Sequence, residues 1–158
     1  MDRDLQIVDF AAAYAAAFES LNVEWLEKYF HVEEIDRVIL SNPQVEVIDH
    51  GGHILFAKLS DEVVGTVALK AHDEGCFELT KMAVTASQQG AGIGRALMLA
   101  AIARFKAVDG KMMFLESHSS LTTAITLYQS AGFVHVARPQ ASDYARSDTY
   151  MVYQPDGK

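Results

Sequence analysis

Glu78-Leu79-Thr80-Lys81-Met82-Ala83-Val84, followed after a short spacer by Gln89-Gly90-Ala91-Gly92-Ile93-Gly94-Arg95, is the stretch on which the fold turns. The first part reads as a strand. The second reads as a glycine-rich turn opening a helix whose apolar face is Ile93, Leu97, Ala100, Ala101, Phe105 and Val108. Asp109-Gly110 stops that helix, and Met112 to Glu116 is the next strand, so the segment forms one βαβ crossover. A helix N-terminus reached through glycines is an anion site in outline, because unpaired backbone N–H groups and the helix dipole converge there. Gly90, Gly92 and Gly94 allow close approach, and Arg95 adds a cation that can reach a phosphate. Read by itself, the loop is equally a flexible connection.

Upstream of the crossover the pattern changes. Val45 to Ile48, Ile54 to Leu59, Val63 to Leu69 and Phe77 to Val84 alternate or carry β-branched residues, with Gly51-Gly52 and Ser60-Asp61-Glu62 as turns. Connections that short make an antiparallel meander. Before it, a short strand at Leu5 to Val8 leads into a helical stripe of Phe10, Tyr14, Ala17, Phe18 and Leu21. Asn22 is the expected N-cap of a second helix carrying Trp25, Leu26, Tyr29 and Phe30, and a further turn or two spans Glu33 to Leu40 before Ser41-Asn42-Pro43. Downstream, a helix from Leu121 to Ala131 ends at Gly132, with strands at Phe133 to Ala137 and near Thr149 to Tyr153.

Composition bounds the rest. A chain of 158 residues, half of them hydrophobic and 22% charged, fits one compact domain over residues 1–158. Thirteen Lys and Arg against 21 Asp and Glu leave a formal charge of -8, the wrong sign for a nucleic-acid partner. Cys76 is the only cysteine, which excludes an intrachain disulfide and reads as a small buried hydrophobe. The start of the chain, with Asp2, Asp4 and Asp9 ahead of the apolar run Phe10 to Phe18, lacks the basic character of a secretory signal, and that run is too short to span a bilayer. The expectation is a cytoplasmic protein with no membrane partner. The histidines lack metal-ligand spacing, so no metal is expected.

Two familiar phosphate loops fail on spacing. There is no Gly-Lys-Ser/Thr ending, and the glycines run G-x-G-x-G several residues after Val84, where a dinucleotide fold wants G-x-G-x-x-G directly after its strand. Glu116 does stand where a ribose-binding acid would, but no second βαβ unit follows.

Gln89, Gly92 and Gly94 meet the Gln/Arg-x-x-Gly-x-Gly/Ala signature of the GNAT superfamily of N-acetyltransferases, and the chain resembles that family from roughly Val63 to Val136. Glu78 to Val84 looks like the family's fourth strand, and Tyr128-Gln129-Ser130-Ala131-Gly132-Phe133 like its Tyr-x-x-x-Gly-Phe close. The resemblance implies a mixed α/β fold: a mostly antiparallel sheet of about seven strands, flanked by helices, with the crossover at the cofactor site. It implies acetyl-CoA as donor. The pantetheine arm would lie along Met82, Ala83 and Val84, and the amides of Gln89, Gly90, Ala91, Gly92, Ile93, Gly94, Arg95 and Ala96 would hold the pyrophosphate. An N–H near Ala83 or Val84 would serve a developing oxyanion. Tyr128, also beside the cofactor, would be the general acid toward sulfur; an aromatic packing residue is the alternative. Glu78 would be the base, an exposed sheet glutamate being its alternative, with Glu116 and His118 as substitutes. Strict alternation would put Glu78, Thr80 and Met82 on one face unless a bulge intervenes.

One departure is plain. Many relatives carry asparagine seven residues before the tyrosine, where this chain has Leu121, with Ser117, His118, Ser119 and Ser120 nearby. The acceptor, a primary amine of a small molecule or peptide, would be chosen by Trp25 to Leu40 and Tyr144 to Tyr153, with Trp25, Tyr29, Phe30 and Tyr144 as walls and Arg146 and Asp148 as charged contacts. A non-catalytic acyl-CoA sensor is the competing function. A homodimer is an expectation of the resemblance, with no interface legible.

Overall fold

The computed structural model describes residues 4–156. Seven strands form one sheet in the order β1-β2-β3-β4-β5-β7-β6. They are β1 (Leu5–Asp9), β2 (His53–Leu59), β3 (Glu62–Ala71), β4 (Cys76–Val84), β5 (Met112–Ser117), β6 (Phe133–His135) and β7 (Thr149–Tyr153). Four helices flank it: α1 (Ala15–Tyr29), α2 (Glu34–Ser41), α3 (Ile93–Ala107) and α4 (Thr122–Ala131). Every neighbouring pair is antiparallel except β4 and β5, which the α3 crossover makes parallel. The mixed, mostly antiparallel sheet expected from the sequence is therefore the observed one.

The sheet is buried on both faces by separate apolar clusters. On one side Leu97, Met98, Ala101 and Phe105 of α3 cover Leu69, Phe77, Leu79, Met113 and Leu115. On the other, Phe18 and Leu26 of α1 with Ile39 and Leu40 of α2 cover Ile54, Phe56 and Ala68. Covering both faces explains why the middle strands read as nearly continuous apolar runs.

Four expected elements differ. Val45 to Ile48 is a π-helical turn, Gln44–Ile48, closed by Asp49 N–H donating to Gln44 C=O at 2.8 Å. The free edge of β2 is already taken by β1, so these β-branched residues have no strand to pair with, and Val47 is fully buried under α2 instead. Asn22 caps nothing. It lies inside an unbroken α1, buried, with Nδ2 donating to Phe18 C=O at 2.9 Å. The helical stripe that starts at Phe10 becomes helix only after a 3-10 turn at Ala12–Tyr14, and β6 stops at His135.

Two irregularities of β4 shape the site. Its pairing with β5 covers only Cys76↔Met112, Phe77↔Met113 and Glu78↔Phe114, after which the strands part. Against β3 the register slips between Thr66↔Ala83 and Ala68↔Thr80, and Lys81 sits in the slip at φ 53°. The bulge overrides strict alternation: Met82 packs on the α3 side, while Lys81 reaches Asp36 of α2 across the other face.

Candidate active site

Where β4 and β5 part, two cavities meet. The outer one, about 480 Å³, runs between the end of β4, the glycine loop and the start of α4. Its loop is ordered by bonds to main-chain carbonyls. Thr85 N–H donates to Val64 C=O at 2.8 Å, and Gln89 folds its side-chain amide back on Val84 C=O at 3.1 Å. Gly90 and Gly92 take φ of +85° and +82°, a region that costs an L-residue about 1 kcal/mol or more, and Gly92 is the N-cap of α3. The first helical bond runs from Ala96 N–H to Gly92 C=O, and no side chain caps the helix. The amides of Ile93, Gly94 and Arg95 thus stand ahead of the ladder, free to bind an anion under the helix dipole.

Of the residues expected to hold a cofactor, Met82, Ala83, Val84, Gln89, Gly90, Gly92, Ile93, Gly94 and Arg95 line this cleft; Ala91 and Ala96 are not in its wall. The amides of Gln89 and Ala96 are already engaged, with Ala86 and Gly92 carbonyls respectively. Arg95 spends one guanidinium nitrogen on Ser130 Oγ of α4, at 3.1 Å.

The inner cavity has a volume of about 90 Å³. Trp25, Met82 and Leu121 line both spaces and form the neck between them. Glu78 and Tyr128, the two expected catalytic groups, both line the inner one. Glu78 is only 6% exposed, and its Oε1 lies 3.1 Å from His72 Nε2. Tyr128 stands edge-on to Phe133, with centroids 6.3 Å apart, and burial pushes its phenol up to about 12.

The substitutes for Glu78, Glu116 and His118, line the same cavity, each with hydrogen-bond partners of its own. Glu116 accepts from Arg138 and from Ser147 Oγ. His118 Nδ1 accepts from Ser120 N–H at 3.0 Å, which puts the ring proton on Nε2, facing Asp148 at 3.6 Å. Asp148 does not line the cavity. Its carboxylate binds Ser119 through N–H and hydroxyl, and these bonds hold it down near 2.

Beside the cavity lies a charged cluster that the sequence does not announce, of which Lys81, Tyr144 and Arg146 line the wall. Asp36, fully buried on α2, accepts from Lys81 of the bulge and from Nη1 and Nη2 of Arg146, at 2.7 and 2.9 Å. Arg146 also reaches Glu33 at 3.1 Å. Tyr144 lies between the two cations, each 4.7 Å from its ring, and its hydroxyl accepts from Lys81 Nζ at 3.3 Å. Desolvation would raise the Asp36 carboxyl, but the Arg146 hydrogen bonds and the Lys81 charge outweigh it and hold the group near 2. Burial pushes the Lys81 ammonium down, against the pull of Asp36, and pushes the Tyr144 phenol up. The available signal was a lone acid between Ile35 and Ile39, and a lone lysine in an apolar strand. Of the expected acceptor walls, Trp25, Phe30 and Tyr144 line the inner cavity and Tyr29 the outer cleft.

Among the described residues no cluster could hold a metal ion, and no helix is long and apolar enough to cross a membrane.

Residues 10–133 match the family model for "Acetyltransferase (GNAT) family". The chain is 29% identical over 115 residues, 71% of its length and 72% of the other's, to the uncharacterized N-acetyltransferase YvbK of Bacillus subtilis. It is 31% identical over 85 residues to the mycothiol acetyltransferase of Actinosynnema mirum, 54% of this chain but only 29% of that longer protein. In structure it is similar to a GNAT-family acetyltransferase of Staphylococcus aureus, with a TM-score of 0.86 at 18% identity over 96% of this chain and 99% of that one. The PaiA N-acetyltransferase of Thermoplasma acidophilum, solved in complex with coenzyme A, superposes with a TM-score of 0.75 at 17% identity over 96% and 99%.

Proposed function

The chain belongs to the GNAT family of acetyltransferases, and from that premise we propose that it moves an acetyl group from acetyl-CoA to a primary amine of a small molecule or peptide. Attack is direct, within a ternary complex. The observation that carries the reading is the neck at Trp25, Met82 and Leu121, where a cleft with free helix-start amides opens onto a cavity holding a buried carboxylate and a phenol. The residues present fit the donor: the amides of Ile93, Gly94 and Arg95 suit its pyrophosphate, and the parted edge of β4 suits its amide-bearing arm. Bound there, acetyl-CoA supplies the thioester carbonyl that the amine attacks.

Glu78 does the proton work at the acceptor. An alkylamine with a pKa near 10 reaches neutral pH as an ammonium, which gives one proton to solvent, and the Glu78 carboxylate, directly or through water, takes the second as the nitrogen attacks. Tyr128 serves the departing sulfur. A phenol held at about 12 forms no phenolate at neutral pH, and full transfer to a thiolate whose conjugate acid is near ~8.5 would be uphill by several kcal/mol. Tyr128 therefore acts as a hydrogen-bond donor while the C–S bond breaks, and the thiol gains its final proton from Glu78 or water. The proton that Glu78 takes from nitrogen is matched by the one gained at sulfur, and the other proton of the ammonium leaves to solvent.

The same reading takes residues 1–158 as a single cytoplasmic domain with no nucleic-acid or membrane partner, and a homodimer as its expected assembly. Calorimetric titration should give acetyl-CoA binding and no NAD binding; the reverse would overturn the donor assignment. Free-thiol release with a primary-amine panel should rise for at least one member. Donor binding without acceleration by any amine would instead favour an acyl-CoA sensor.

A further inference from the structure

The strongest group outside the cavity walls is His72, in the turn between β3 and β4. Its Nε2 lies 3.1 Å from Glu78 Oε1, and its ring rests against Phe114, with centroids 5.4 Å apart. The backbone there is fixed, because His72 N–H donates to Cys76 C=O at 2.8 Å. Glu78 lines the inner cavity while His72 does not, so the imidazole stands behind the carboxylate. The two side chains differ sharply in exposure, 39% for His72 against 8% for Glu78. Lys70 is the register partner of Glu78 on β3, yet among the described residues the ion pair that Glu78 forms is with His72.

We propose that His72 is the positioning residue of Glu78: an Nε2–H donated to Oε1 fixes the carboxylate and leaves Oε2 aimed at the acceptor nitrogen. This rests on Glu78 being the base. A buried carboxylate with both oxygens free rotates about its last torsion, and only some of its orientations reach the amine. With one oxygen tied, the other is held ready, as catalysis by a single well-placed base requires. His72 itself touches no substrate, and its effect is confined to the proton step.

Thiol release would be followed with acetyl-CoA and, as acceptor probes, spermidine, phenethylamine, glucosamine and lysine. His72→Leu should lower kcat about tenfold or more with the KM for acetyl-CoA unchanged. His72→Gln, which keeps an N–H donor, should recover to within about threefold. In a Glu78→Gln background, His72→Leu should cost nothing further, because the two act as one unit. Wild-type kcat in His72→Leu, or an equal loss in both backgrounds, overturns the proposal while leaving Glu78 as base. Wild-type turnover in Glu78→Gln removes the base and the proposal with it. A second arm needs no acceptor: two-bond ¹H–¹⁵N spectra should show neutral His72 protonated at Nε2, with that preference lost in Glu78→Leu. A tautomer balance indifferent to that change overturns the proposal.

Discussion

At the outer cleft the free amides at the start of α3 are main-chain groups, ordered by glycines within the single run Gln89 to Arg95. At the inner cavity they are side chains, and Asp36 and Arg146, which share two hydrogen bonds, lie 110 residues apart in the chain. The first region needs only local sequence to exist. The second exists only when α2, the β4 bulge and the loop before β7 are all in place. A site common to many chemistries can be made from backbone, whereas a site particular to one chain needs side chains brought together by the whole fold.

That contrast predicts where damage falls. Asp36→Asn strands the Lys81 ammonium in a buried site, and the expected loss is about 3–5 kcal/mol in urea or thermal unfolding. Acetyl-CoA affinity of the folded fraction should stay within about twofold, since no cleft amide moves; a large fall in affinity would break the separation of the two regions. Tyr128→Phe takes only a hydroxyl from the inner cavity, and its kcat should fall about a hundredfold with donor binding retained. Wild-type turnover would remove Tyr128 from the chemistry.

A smaller effect follows from pH. Asp36 is held at about 2, below its ordinary 3.8, so its contribution, on the order of 2 kcal/mol, is complete above about pH 4 and is lost as pH falls toward 2. Unfolding measured across that window should steepen for the wild type and flatten for Asp36→Asn. Smallest are the glycines. Gly92→Ala forces alanine to a φ of +82° and should weaken acetyl-CoA by about 1 kcal/mol, roughly fivefold. Gly94→Ala, where a Cβ would meet only Leu127 at 3.8 Å, should leave affinity near wild type and add a few tenths of a kcal/mol to stability. Equal effects at the two glycines would mean that backbone conformation is not what makes the cleft.

The same division governs what could be read from sequence. The crossover, the meander and the glycine turn follow from periodicity and turn residues, which act over a few positions. Val45 to Ile48 misled because β-branched residues suit a strand, yet β1 had already occupied the edge they needed. Asn22 misled because its amide can cap a helix or, buried, bond its own helix carbonyl four residues back. The bulge at Lys81 carries no glycine or proline to announce it. Glu78 and Tyr128 could be nominated and the structure brings both to one cavity, but His72, Asp36 and Lys81 acquire meaning only from partners that no spacing rule connects.

The seam between β4 and β5, three residue pairs and then a parting, leaves a notch in the middle of the sheet where hydrogen exchange should run fast in the free protein. On the proposed reading acetyl-CoA would lie along that notch in place of a strand, and mass action would tie folding to its concentration: about 2.7 kcal/mol of added stability at a hundred times Kd. A chain built this way should resist proteolysis best while its acetyl donor is plentiful, which a protease-digestion time course with and without acetyl-CoA would read.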